Sequence, residues 1–442
     1  SSLAITAADR RGTGRIGLAL LLATASGCVS GSVPARKPSE APPPVPTPVP
    51  KPAPTPAPAR RDPEIRIGLV VGSTMASVGG GDALAVNQPD GTRLATIPAG
   101  QTWQVAAATD AVSLTSPGGW ISPPLDRVTL AATDPTAPVR VNGKPYRGMA
   151  EILPGRGGLT VVNRVGVEAY LLGVVPAEMS RRSSIEEAAL RAQAVVSRTY
   201  ALRHLGRWRA QGFDVSGTVA DQVYGGLAIE TPEGTVAVAD TRGQVLTYNG
   251  ALIEAFFYST CGGRTADGTE VFRGAAQPYL RSVPDQAEDG SAYCSISPRY
   301  RWHEEWTSEA LLATLQRNLP PVTGVRSEQI ARVTDVHVGQ RTTSGRVSEL
   351  VIGLGGPVVR INGAAIRQVL RSSSGELLRS TAFNLTATGS GGAVTHLTVD
   401  GMGSGHGVGF CQWGAVGRAR AGQGFEQILL AYFPGTRLER RY

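Results

Sequence analysis

Four cysteines and five histidines are few for a chain of 442 residues, and they are scattered. No two of them stand at CxxC or HxxxH spacing, so a zinc centre has little support from the pattern. No apolar run reaches the roughly 18 residues that a spanning helix needs, which excludes a polytopic membrane protein. No GxxxxGK occurs, and the densest glycine run, Gly401–Gly409, fails GxGxxG in every register and GxSxG at Met402. A nucleotide-binding loop and a serine-hydrolase elbow are therefore improbable. A concentrated basic face is also missing. The net charge is +8, but residues 1–63 hold eight Lys/Arg against three acids, leaving 35 basic and 32 acidic side chains in the rest. Nearly balanced charge does not release phosphate counterions, so no nucleic-acid partner is expected.

What is present is a 41% hydrophobic composition with 55 Gly and 31 Pro. That is enough apolar matter for a sizeable core, and the length suggests two or three folded units at roughly 100–200 residues each. The Gly and Pro content argues for many short strands and turns rather than a helical bundle.

The first 28 residues read as a secretory signal. Arg10, Arg11 and Arg15 precede the apolar stretch Ile16–Ala25, and small residues lead to Ser26-Gly27-Cys28. A Cys in that setting is similar to a bacterial lipobox, although Ala25 stands where Leu is usual. Cys28 is thus the expected lipidation site, with an ordinary signal peptide and a chance Cys as the bland reading. Residues 29–63 form a linker, and residues 34–63 alone hold 13 of the prolines. Such a segment is extended polyproline II at ~3.1 Å per residue and builds no core. A tether that holds a domain off a membrane follows, with the lipid as the sole membrane contact.

From residue 64 to 158 the pattern predicts a β-rich domain of short strands, including a type I′ hairpin at Asn142-Gly143, where both residues tolerate positive φ. Residues 159–442 read as a second domain expected to pack against the first, so the expected fold class is α+β: strand-rich, with a few helices. Leu159–Pro176 looks strand-rich and ends at a proline. A helix then follows, with Ser184 and Glu187 as a capping box and Ile185, Ala188, Ala189, Ala192, Val195, Val196 and Thr199 on one buried face. This places Glu178 on a short strand-to-helix connection. A second hairpin is expected at Asn249-Gly250, and helices over Glu305–Asn318, Ile361–Leu370 and Phe425–Tyr432.

His406, inside the glycine run, is either aimed at a cleft or buried and satisfied by backbone. With Cys28 assigned to lipid, three cysteines remain. Cys261 with Cys294 is the preferred disulfide, which would stabilise by about 3–4 kcal/mol, leaving Cys411 as a free thiol. A Cys411–His406 nucleophile pair is the sharper and weaker alternative.

Six segments in order change the weighting of these residues. They are Val167–Met179 with Pro-Ala-Glu-Met, Ala189–Leu202, Asp221–Gly226, Tyr258–Gly263, Pro278–Val283 and Gly405–Ala415. Together they resemble the SpoIID/LytB family, named for a sporulation protein and an amidase enhancer, over roughly Ile65 to Tyr442. The resemblance implies a lytic transglycosylase acting on peptidoglycan glycan strands, often those stripped of stem peptides, in the extracytoplasmic envelope. It places the catalytic glutamate at Glu178. Some family members hold zinc near this cleft, but the corresponding positions here read Asp214-Val-Ser216-Gly217 and Ala220-Asp221-Gln222, so no metal and no cofactor are expected. Gln222, Tyr224, Tyr279, His406 and Gln412 are candidates for positioning the sugar or the carboxyl, each equally open to a structural reading. Glu168, Asp214 and Asp221 are reserve carboxylates. The alternative function is a non-enzymatic glycan binder that engages a cell-wall amidase.

Overall fold

The computed structural model describes residues 62–272, 274 and 276–442. The expected leader with Cys28, and all but the last two residues of the expected linker, lie outside the described residues. Among the described residues, no helix is long and apolar enough to cross a membrane.

The fold is the strand-rich α+β mixture that the composition implies. Alternating apolar residues in Glu64–Ser73 bury Ile65 and Ile67, and this strand pairs antiparallel with Gly158–Gly166. A seven-stranded sheet extends from that pair, through Met149–Gly155, Val128–Ala132 and Leu84–Asn87 to Arg93–Ile97, with Val215–Ser216 on the other edge. A five-stranded sheet (Ala111–Thr115, Thr102–Ala108, Met75–Gly80, Val139–Val141, Lys144–Tyr146) shares its core. The expected hairpins are both present. Asn142 and Gly143 sit at φ +47° and +77°, and Asn249 and Gly250 at +50° and +78°, which is the twist that two-residue loops require. The strands of residues 149–155 and 158–166 form one hairpin, so the sheet runs straight through the expected boundary at residue 158.

Two expectations are corrected at the centre of the chain. Val167–Met179 is not strand but an α-helix, α1, so Glu178 lies in its last turn rather than on a connection. The β-branched residues and Pro176 suggested strand. However, Val167, Tyr170, Leu171, Val174, Val175 and Met179 are all fully buried, and a helix apolar nearly all round is stabilised by packing rather than by propensity. The next helix, α2, spans Glu187–Arg203. Its entry is one residue earlier than expected: Glu186 Oε2 accepts the Ser183 N–H at 3.1 Å, and Ile185 is 65% exposed instead of facing the core. Ala188 is half-buried, and the expected face from Ala189 to Thr199 is buried as periodicity requires.

A second core is built separately by Trp302, Trp306, Leu311, Leu315, Ile352, Ile361, Leu397 and their neighbours. It joins two three-stranded sheets to the helix Ser308–Asn318. The expected helix over residues 305–318 starts three residues late, because Arg301–Thr307 pairs with Ala393–Met402. Likewise residues 358–362 are strand, and only Ala365–Val369 is helical. The helix Phe425–Tyr432 falls where expected.

Candidate active site

Glu178 opens onto a cleft of about 800 Å³. Its carboxyl is half-buried and holds two hydrogen bonds. The Val223 N–H donates to Oε1 at 2.9 Å, and the Gln412 Nε2 amide donates to Oε2 at 3.3 Å. Burial pushes the Glu178 carboxyl above the usual carboxylate range; the Val223 and Gln412 donors, which favour the ionised form, only partly offset it. Directly after Met179, which ends α1, Ser180 closes the helix at φ +58° and ψ −172°, a rare region for a residue with a Cβ. Backbone strain of this kind concentrates at functional sites.

The helix that carries Glu178 is locked from behind. Fully buried Arg198 of α2 clamps Glu168 of α1 with bonds of 2.8 and 2.7 Å, and Tyr442 Oη and the Gly243 N–H complete the carboxylate at 2.7 and 3.2 Å. Glu168 is therefore saturated. Asp214 accepts the Arg66 and Gly206 amides. Asp221 reaches the cleft wall but accepts four donors: Tyr200 Oη, Arg207, Trp208 Nε1 and the Ser216 N–H, at 2.7–2.9 Å. A carboxylate held this way is committed to structure. Of the carboxylates lining the cleft among the described residues, Glu178 alone combines burial with so few donors.

The five positioning candidates separate. Gln412, at the start of the helix Gln412–Arg420, touches Glu178 and also donates to Gln193 Oε1 at 3.4 Å. His406 is on the cleft wall, yet both ring nitrogens are used: Nε2 donates to the Phe257 carbonyl at 2.8 Å and Nδ1 accepts the Val408 N–H at 3.2 Å. Burial lowers its pKa to about 4, so the ring is neutral, as the backbone-satisfied reading required. Gln222 is fully buried beside Val223; its Oε1 accepts Tyr170 Oη at 3.3 Å, and its Nε2 has no partner among the described residues. Tyr224 packs against Tyr146 and Tyr170 and donates to Asn163 Oδ1 at 3.0 Å. Tyr279 packs on Tyr248, and its hydroxyl accepts the Glu254 N–H at 3.2 Å. Neither tyrosine lines the cleft.

Two cleft residues escaped the reading of the sequence. Trp413 follows Gln412, and the Arg182 guanidinium lies over its ring at 4.6 Å, so an aromatic face and a cation stand side by side near Glu178. The arrangement suits a sugar ring bearing a carboxylate. The only signal for either lay in its neighbours: Trp413 follows Gln412 within Gly405–Ala415, and Arg182 follows Glu178 by four positions.

The remaining cysteines converge. Cys261 and Cys294 Sγ atoms lie 3.3 Å apart as free thiols, and Cys411 is beside them rather than beside His406.

Comparison with known proteins shows the family. The stage II sporulation protein family, SpoIID, matches residues 155–248, which include Glu178, and a domain of unknown function, DUF8618, matches residues 292–409. The chain is 31% identical to stage II sporulation protein D of Bacillus subtilis over 295 residues, covering 63% of this chain and 75% of that protein. It is 32% identical to an uncharacterized protein of Brachyspira hyodysenteriae over 297 residues, or 67% of this chain and 73% of the relative. Against the amidase enhancer of Bacillus subtilis the identity is 31% over 292 residues, 61% of this chain but only 40% of that protein. The chain belongs to the SpoIID/LytB family.

Proposed function

We propose that this chain has a cell-wall role and is a peptidoglycan lytic transglycosylase, with Glu178 acting as acid and then base. The observation that carries the reading is a carboxyl in a cleft whose pKa is raised by burial, with no second uncommitted carboxyl lining that cleft among the described residues. Hydrolytic glycosidases usually need two carboxylates, about 5–9.5 Å apart, to manage water or a covalent intermediate. A single group is enough when the nucleophile is internal. Glu178 gives its proton to the glycosidic oxygen as the C1–O bond of N-acetylmuramic acid breaks. It then takes the proton of that sugar's C6 hydroxyl as the C1–O6 bond forms. One proton moves from O6 to the departing N-acetylglucosamine oxygen by way of the carboxyl, and a 1,6-anhydro ring closes without water. The intramolecular attack gains from proximity, and the raised pKa keeps the acid form populated nearer neutral pH. Arg182 and Trp413 are suited to the lactyl carboxylate and the sugar face. Export and anchoring through Cys28, and a cell-wall amidase as partner, belong to the same proposal.

The amidase-enhancer relative favours one competing reading, a glycan binder without chemistry. Peptide-free glycan strands incubated with the chain and with Glu178→Gln, then examined by mass spectrometry, separate the two. Anhydromuramyl ends that disappear in the variant are expected. Intact strands that co-sediment equally with both proteins would establish the binder.

A further inference from the structure

A buried cluster outside the cleft has no part in the proposed chemistry. Cys261, Cys294, Cys411 and Asp285 bring three sulfurs and one carboxylate oxygen within 4.8 Å of one another. Cys261 is 2% exposed and the other three are fully buried. Three stretches of the chain deliver them: Cys261, the run from Asp285 to Cys294, and Cys411. The parallel pairing of Tyr258 with Cys411 sets the Ser259–Gly263 turn against the start of the helix Gln412–Arg420. Asp285 is tied in through its N–H to the Gly263 carbonyl at 2.9 Å, and its own carbonyl accepts the Tyr293 N–H at 3.1 Å, which leads to Cys294.

We propose that these four residues are a closed structural zinc site. Sulfurs bound tetrahedrally at ~2.3 Å stand ~3.8 Å from one another and ~3.5 Å from a carboxylate oxygen on the same ion. The distances here, 3.3 Å between Cys261 and Cys294 Sγ and 3.1 Å from Cys261 Sγ to Asp285 Oδ2, reach that spacing with shifts of about half an ångström. Zinc favours thiolate with one harder ligand, and four protein ligands leave no open position, which marks a structural rather than a catalytic ion.

The surroundings of the cluster match a metal–thiolate centre better than a disulfide. Asp285 Oδ1 accepts Arg418 Nε at 2.9 Å and Tyr432 Oη at 2.8 Å, which leaves Oδ2 turned to the sulfurs, 3.1 Å from Cys261 Sγ. Backbone amides point at sulfur: Cys261 and Gly414 to Cys411 Sγ, both at 3.2 Å, and Gly263 to Cys261 Sγ at 3.3 Å. Binding releases three thiol protons as three thiolate–zinc bonds form, and with the Asp285 carboxylate the centre carries a net charge of −2. Two buried guanidinium groups offset it. One is Arg418. The other is Arg346, 2% exposed, which donates to the Cys261 carbonyl at 3.3 Å and whose Nη1 has no partner among the described residues. A neutral disulfide with a lone thiol would leave two cations facing one carboxylate. None of the four ligands falls between Asp214 and Gln222, so this centre is distinct from the zinc position that the family resemblance points to there. Its consequence for the cleft is mechanical: Cys411 immediately precedes Gln412, the Glu178 partner.

Metal content of the full chain, purified without chelator and dialysed, tests this independently of any glycan activity. About one zinc per chain is expected, with Cys261, Cys294 and Cys411 resistant to thiol reagents until zinc is withdrawn. Cobalt exchanged into the wild-type chain should give the intense thiolate-to-cobalt charge-transfer band of a tetrahedral site. Cys294→Ser should lower the zinc content at least about fivefold, and Cys28→Ser should leave it unchanged. A metal-free chain with a Cys261–Cys294 disulfide in non-reducing peptide maps would overturn the proposal, as would reduced thiols that take up neither zinc nor cobalt.

Discussion

Arg198→Met is the most informative perturbation of the scaffold beneath the site. Arg198 is fully buried and donates twice to Glu168, besides reaching the carbonyls of Val238 and Gln244 at 3.3 and 3.2 Å. Methionine fills much of the volume but leaves the Glu168 carboxylate buried with only Tyr442 Oη and the Gly243 N–H. Removing one partner of a buried pair costs about 3–5 kcal/mol, a large part of the roughly 5–15 kcal/mol that holds a domain together. Replacing both, Arg198→Met with Glu168→Leu, leaves no orphaned charge and should recover most of the loss. Urea unfolding reads this as a lowered midpoint at unchanged slope for the single variant and a partial return for the double. The sign with pH is fixed as well. Burial acts to raise the Glu168 pKa, but the Arg198 ion pair, with the Tyr442 and Gly243 donors, outweighs it and holds the carboxyl below its ordinary value. The pair's contribution is therefore present above the unfolded carboxylate pKa and fades as pH falls through the folded one, where wild type and Arg198→Met converge. A single-variant loss below about 1 kcal/mol, or a double variant that costs the sum of the two singles, would refute the reasoning.

Gln412→Leu removes a donor that favours ionised Glu178, so the alkaline limb of the kcat/KM profile on glycan strands should move to higher pH; a limb that stays put or moves down denies Gln412 that role. Trp413→Ala should raise KM about fivefold with kcat little changed, as expected for lost uniform binding, and a fall in kcat alone would place Trp413 in the chemistry instead. Gly414→Ala should lower the thermal midpoint sharply, because a Cβ there would overlap Tyr432 Oη and the Asp285 carboxylate; an unchanged midpoint in a thermal melt would show that the packing around Asp285 yields.

How legible this was in the sequence depended on where each signal resides. The Asn142-Gly143 and Asn249-Gly250 hairpins were readable because local φ preferences decide them. Helix α1 was not, because tertiary burial of Val174, Val175 and Met179 outweighs β-branching and a proline at position 176. The α2 face was readable from periodicity, whereas its cap was misplaced by one residue, as polar runs of the Ser-Ser type allow. Glu178 stood out only through the family resemblance, since one carboxylate among 35 Asp and Glu carries no local mark. Gln412 was a candidate from the sequence, but its contact spans 234 positions and only folding reveals it. The cysteine cluster was illegible for the same reason: Cys261 lies 33 residues from Cys294 and 150 from Cys411, far outside any metal-ligand spacing. The second core around Trp306 and Leu397 also gave no boundary signal, because its first strand, Arg301–Thr307, pairs across 89 to 101 positions.

Cleavage of peptide-free glycan strands in water enriched in oxygen-18 decides the central claim most directly. Ring closure by the muramic C6 hydroxyl leaves every new end anhydrous and free of label, with the reaction abolished in Glu178→Gln. One heavy oxygen at each new muramic C1 would mean that water is the nucleophile and that a lone carboxyl does not account for the cut.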